Sequence, residues 1–215
     1  MSETSEYAKV VKVLANVSTA RGFQASLTLP NSKTLPHDDD FINFYVGVHG
    51  FECRISTAKR PAFYVDGEYK WHWFVNGTES ASGSMDFSDG DSVTILLATD
   101  QSQSNKIVFK VNSVQVFISQ NSNYGGTNNA RLIVACYQST GVTLPLAPWT
   151  VSHSTVTAAA MKYKDSSNNW LNITSSNTLY TNVYWPTNVS EQDIPTPRYY
   201  TASESITNST ITASI

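Results

Sequence analysis

FINFYVGVHGFECRISTAKRPAFYVDGEYKWHWF, residues 41–74, holds two runs that alternate in character between turn signals. Its first run changes character at every second residue: Ile42, Phe44, Val46 and Val48 are apolar, and Asn43, Tyr45, Gly47 and His49 alternate with them. Successive side chains of a strand point to opposite faces, so this run reads as a strand with a core face and a polar-aromatic face. The last run puts Tyr69, Trp71, Trp73 and Val75 on one side and Lys70, His72 and Phe74 on the other. Between them, Asp66-Gly67 is a tight-turn signal behind Phe63-Tyr64-Val65. Aromatic rings opposed by polar groups on neighbouring strands can build a binding groove or a core, and both readings stand at this point.

Working outward, runs of β-branched and aromatic residues recur between turn signals, and no long segment has a helical period. Residues 7–17 and 23–29 read as two early strands, and 29–40 as a loop broken by Pro30 and Pro36. Ser88-Asp89-Gly90-Asp91 turns into a strand over 93–99, and Asn112-Ser113 separates the phase of Ile107, Phe109 and Val111 from a strand over 114–118. A Gly-rich loop over 124–129 precedes a strand over 130–137, and Pro145 and Pro148 mark an irregular connection. Residues 151–163 read as a long strand region, with 158–161 open to a helical turn. A strand around 179–185, a Pro linker over 194–197 and a closing strand over 205–215 complete the chain. Many short strands at near-regular spacing predict a single antiparallel β-sandwich domain over 1–215. Ile42, Phe44, Val46, Val48, Leu132 and Val134 are its expected core.

The chain has 14 Lys and Arg against 17 Asp and Glu, a net charge of −3. A mildly acidic balance argues against nucleic acid, whose phosphates need a basic field. No window is apolar over the length of a membrane span. The N-terminus MSETSEYAKVV has neither a basic start nor a long apolar run, so a cytoplasmic or non-classically secreted protein is the expectation. Five Asn-x-Ser/Thr matches carry little weight in a chain so rich in these residues. Cys53 and Cys136 are too few for a disulfide scaffold; buried thiols are the expectation, and a bridge between them stays open.

Signals for other chemistry are weak. His37-Asp38-Asp39-Asp40 lacks the spaced oxygens of a calcium loop and reads as a solvated acidic turn. His49, His72 and His153 have no ligand-like spacing, so neither a metal nor another cofactor is expected. There is no Gly-x-Ser-x-Gly elbow and no phosphate cradle.

From Gly22 to Tyr137 the chain resembles the fungal glutamic peptidases, the eqolisins. Four segments carry the likeness: Tyr45-Val46-Gly47-Val48-His49-Gly50 followed by Cys53, Asp66-Gly67-Glu68-Tyr69 with Trp71-His72-Trp73-Phe74, Asp89-Gly90-Asp91-Ser92-Val93, and Asn129-Ala130-Arg131-Leu132-Ile133-Val134. The resemblance implies a jelly-roll sandwich related to concanavalin A-like lectins and glucanases, with the functional groups on a concave sheet. It also implies a catalytic glutamine and glutamate, whose places fall at Lys59 and Ala135. Alanine cannot move a proton, and lysine cannot accept a hydrogen bond. Acidic residues of the family's pattern likewise fall at His49 and His72.

The expectation is a non-catalytic, lectin-like protein that binds a glycan or similar polar ligand, with no catalytic residue. Tyr45, His49, Lys59, Trp71, Trp73, Arg131 and Tyr137 are the expected ligand-binding set. Aromatic faces stack on the C–H patches of pyranose rings while charged groups supply direction. An acid-acting peptidase with relocated catalytic residues, and a protein-binding or toxin-like assembly protein, are the alternatives. A homo-oligomer is left open.

Overall fold

Alternation in the sequence becomes two facing antiparallel sheets in the computed structural model, which describes residues 7–17, 19–61, 63–124, 130–138, 150–185, 201–202 and 206–214. The 194–197 linker, the Pro145 and Pro148 connection and most of the 124–129 loop lie outside the described residues. In chain order the strands are β1 (Tyr7–Ala15), β2 (Gly22–Thr28), β3 (Lys33–Thr34), β4 (Phe41–Val48), β5 (Phe51–Ala58), β6 (Tyr64–Val65) and β7 (Glu68–Tyr69). There follow β8 (Trp71–Asn76), β9 (Ala81–Met85), β10 (Ser92–Asp100), β11 (Lys106–Val111), β12 (Val114–Ile118) and β13 (Arg131–Gln138). The last are β14 (Ser152–His153), β15 (Val156–Lys164), β16 (Trp170–Asn172), β17 (Thr178–Trp185), β18 (Thr201–Ala202) and β19 (Ile211–Ser214). One sheet runs β17-β1-β13-β4-β5-β8-β9 and the other β12-β11-β10-β2-β15-β19-β18, with β16 also on β15.

The period of two sets which side chains meet between the sheets. Ile42, Phe44, Val46, Val48, Leu132 and Val134 are all buried there, facing Phe23, Ala25 and Leu27 of β2 and Val93, Ile95 and Leu97 of β10. Each such side chain contributes about 1.5–3 kcal/mol relative to exposure. Cys53 and Cys136 are free and buried in the same core, and burial pushes both thiols above their ordinary range.

Turn chemistry holds the register. His49 (φ 52°) and Gly50 (φ 77°) form the two-residue link between β4 and β5, and Asp66 (φ 53°) with Gly67 (φ 84°) links β6 to β7. Two consecutive residues at positive φ match the right-handed twist of the flanking strands. The 158–161 segment is not a helical turn: β15 carries a bulge between Ala159 and Lys162, with Ala160 at φ 48°. That extra residue shifts the inward phase from Val156 and Ala158 to Met161 and Tyr163. The region over 151–163 holds two strands, β14, which pairs with β3, and β15.

Three of the expected ligand-binding residues are displaced by these same elements. Trp71 is fully buried and stacks on Phe44 at 5.7 Å, so it belongs to the core. Trp73 pairs with Ile55 and packs, half-buried, against that core; its indole occupies the space that a side chain at Gly83 would fill. His49 leaves the strand face because it is a turn residue.

Candidate functional site

The outer face of the seven-stranded sheet is assembled by register into rows that cross the strands. One row is Val10, Ala135, Asn43, Ser56, His72 and Ser84; the next is Lys12, Ile133, Tyr45, Arg54, Phe74 and Ser82. Ala135 is 0% exposed and sits in a small apolar cluster with Ala8, Val10 and Tyr45, flanked by Ile133 and Tyr137. This half of the face is filled.

The half over β5 and β8 is open. A cleft of about 370 Å3 is lined by Phe41, Arg54, Ser56, Ala58, Arg60, Phe63 and Phe74. Its far wall comes from the segment between β5 and β8, which folds back over the sheet. The Phe63 amide donates to the Arg60 carbonyl at 2.8 Å, and the Thr57 hydroxyl donates to the Lys70 carbonyl at 2.8 Å. Phe63 stacks on Phe74 at 5.7 Å and lies 4.2 Å from the His72 ring, while Phe41 stacks on Tyr137 at 4.3 Å.

Arg54 projects into this ring-lined space. Its guanidinium carbon is 4.9 Å from the Phe74 ring centroid and 5.5 Å from that of Tyr45, and one terminal nitrogen donates to the Tyr45 hydroxyl at 3.2 Å. Its buried Nε reaches no hydrogen-bond partner among the described residues. Two acidic side chains of the surrounding segments are engaged elsewhere: Glu52 by Arg131, and Asp39 by Arg60 at 2.9 Å. Gly47 makes the first pair possible, because Arg131 lies across the space that a Cβ there would occupy.

The expected set is therefore only partly brought together. Tyr45, Arg131 and Tyr137 share the outer face, but Tyr45 is 7% exposed and Arg131 is tied to Glu52. Burial pushes the Tyr137 hydroxyl well above its ordinary range, with Tyr45 adding to the effect, so it stays protonated. Lys59 lies one residue past β5 and donates to the Pro36 carbonyl at 2.9 Å, off the face. His49 is held below its usual pKa by burial and then by Arg21. Arg54, Ser56, Phe41, Phe63 and Arg60 are absent from the expected set. Arg54 and Ser56 alternate with Cys53 and Ile55 and could have been found from that phase; Phe63 and Arg60 reach the cleft through a long-range fold-back with no local signal.

Chemically, the face is poor in groups that move protons. Glu52 is the one carboxylate among the described strand positions of this face, and it is ion-paired. Ser56, opposite His72, donates its hydroxyl proton to the Ile42 carbonyl at 3.0 Å, which leaves none for an imidazole to take. Among the described residues no helix is long and apolar enough to cross a membrane.

No family model matches the chain, and no curated protein matches its sequence. Solved structures do match. Scytalido-glutamic peptidase with a peptide-based transition-state analogue aligns with a TM-score of 0.58 at 11% identity, covering 97% of each chain. SCP-B, a member of the eqolisin family in complex with the tripeptide Ala-Ile-His, aligns with a TM-score of 0.56 at 11% identity, again over 97% of each. At such identities the likeness is one of fold. The chain has the jelly-roll β-sandwich fold of the glutamic peptidases.

Proposed function

We propose that the protein is a non-catalytic, lectin-like binding protein that holds a glycan in the cleft over β5 and β8. The observation that carries this reading is an open, ring-lined cleft on a face whose one described strand carboxylate is ion-paired. Hydrolysis of a peptide needs a base within reach of the attacking water and donors for the developing oxyanion. Ala135 supplies no base, Lys59 lies off the face, and the Ser56 proton is committed to the main chain. Rings of Phe41, Phe63 and Phe74 suit the apolar face of a pyranose, and Arg54 supplies a polar contact beside them. The site is thus displaced from Trp71 and Trp73 to the neighbouring phase.

A glycan array probed with pure protein, run beside casein digestion at strongly and mildly acidic pH, tests the reading. Saturable binding to a subset of glycans with intact casein is expected. Cleavage that scales with protein concentration and resists inhibitors of other protease classes would overturn it.

A further inference from the structure

Resting on that reading of the cleft, we infer that the glycan is acidic and that its carboxylate docks on the Arg54 guanidinium. Two arginines and no carboxylate line the cleft. Arg60 has its counter-ion in Asp39, whereas Arg54 has no ion-pair partner among the described residues. A guanidinium offers five N–H donors in a rigid fork, and the one bond to Tyr45 at 3.2 Å leaves most of that fork unused. Its Nε is buried and has no partner among the described residues, a costly state for a donor unless something arrives to accept from it.

The surroundings hold the fork rather than satisfy it. Tyr45 and Phe74 flank the guanidinium through their rings, which fixes its plane without using its N–H groups. The Tyr45 hydroxyl is itself positioned by the Asn43 amide at 2.9 Å, so the arginine rests on a buried support. A planar carboxylate matches such a fork with two parallel hydrogen bonds, and little ordering remains to be done on binding. Beyond Phe74 and His72, the edge strand presents the exposed hydroxyls of Ser82 and Ser84 in the same rows. Rings, hydroxyls and one cationic fork together favour a sugar acid over a peptide terminus, which needs main-chain partners that the interior of a paired sheet does not offer.

Calorimetry with three acid and neutral pairs tests this: trigalacturonate against its methyl ester, 3′-sialyllactose against lactose, and a glucuronate-containing tetrasaccharide against its reduced form. At least one acid should bind, and its neutral counterpart should bind about ten- to a hundredfold more weakly. Rising salt should weaken the acid selectively. Arg54→Gln should remove the preference, with Arg54→Lys restoring part of it, and each variant's melting temperature reports whether it is folded. The acid and neutral comparison on the unmodified protein stands even if both variants unfold. Equal binding of a pair, or a preference that survives Arg54→Gln, overturns the inference while leaving the glycan reading intact. Binding of a blocked tripeptide with a free carboxyl end, with no glycan bound, overturns both, as does no binding at all.

Discussion

Replacing Trp71 by alanine tests the register on which the position of the cleft depends. The indole is 0% exposed, stacks on Phe44 at 5.7 Å and donates from Nε1 to Asp89 at 3.3 Å. Truncating a buried tryptophan costs about 3–5 kcal/mol, from lost transfer energy and the cavity left behind. Against a total stability of about 5–15 kcal/mol, that is a large share. With a guanidinium chloride m-value of about 4 kcal/mol per molar, the unfolding midpoint should fall by about 1 M. Phe74→Ala provides the contrast, because its half-buried ring lines an open cleft and should move the midpoint by less than half as much. Trp71→Phe keeps the stack on Phe44 and serves if the alanine variant does not fold; it should lie between wild type and alanine. A Trp71→Ala midpoint equal to wild type, at unchanged m, would place the indole in solvent. It would then shift β8 by one residue against β5 and remove Phe74 from the cleft.

Other consequences follow from neighbouring residues. His153 is buried, with Nδ1 2.6 Å from the Ser154 carbonyl and Nε2 without a hydrogen-bond partner among the described residues, and burial holds its pKa below the usual histidine range. The unfolded chain therefore takes up the proton first, so stability should drop as pH falls through about 6.5 towards 5; urea midpoints for wild type and His153→Asn would show this, and a slope unchanged in the variant would refute it. Gly83→Ala would put a Cβ 2.6 Å from the Trp73 indole nitrogen, so it should destabilise by about 1–3 kcal/mol where Gly→Ala in a strand otherwise helps; a raised melting temperature would count against the placement of Trp73. Ala135→Glu should lose about 3 kcal/mol or more and gain no acid proteolysis, since it buries a carboxylate among Ala8, Val10 and Tyr45; denaturant titration beside a casein assay checks both.

Period and turn chemistry made the frame legible. Ile42, Phe44, Val46 and Val48 could face only one way, and Asp66-Gly67 announced its hairpin. Strand β8 was harder, because both of its phases carry aromatic rings. Val75 settles the matter: it shares a phase with Trp71 and Trp73 and pairs with Cys53, which is core. His49 continues the alternation of β4 into the turn, because histidine tolerates positive φ better than most residues. Lys59 follows the strand pattern in sequence, but β5 stops one residue earlier, at Ala58, and the lysine turns towards Pro36. The cleft itself depends on Phe63 returning over the β8 rings of His72 and Phe74, a tertiary contact that no alternation encodes.

The two halves of the outer face differ because of side-chain size along each row. Over β1 and β13, Ala8, Val10 and Ala135 are small enough for the rings of Tyr45 and Tyr137 to settle onto them, and the surface closes. Over β5 and β8, Ser56 and Ala58 are equally small and lie buried at the bottom of the cleft, while the rings beside them, Phe63 and Phe74, stack on each other as its wall. Tyr45 joins the halves, with its ring in the apolar cluster and its hydroxyl on Arg54. A ligand in the proposed cleft would therefore meet β5 and β8 directly and β13 only at its margin. Under the proposed reading, substitutions on β13 would act on a ligand through the packing beneath Tyr45, whereas those at Arg54 and Phe74 would act by contact. On this fold, then, the position of Ala135 is a support for the cleft rather than a part of it.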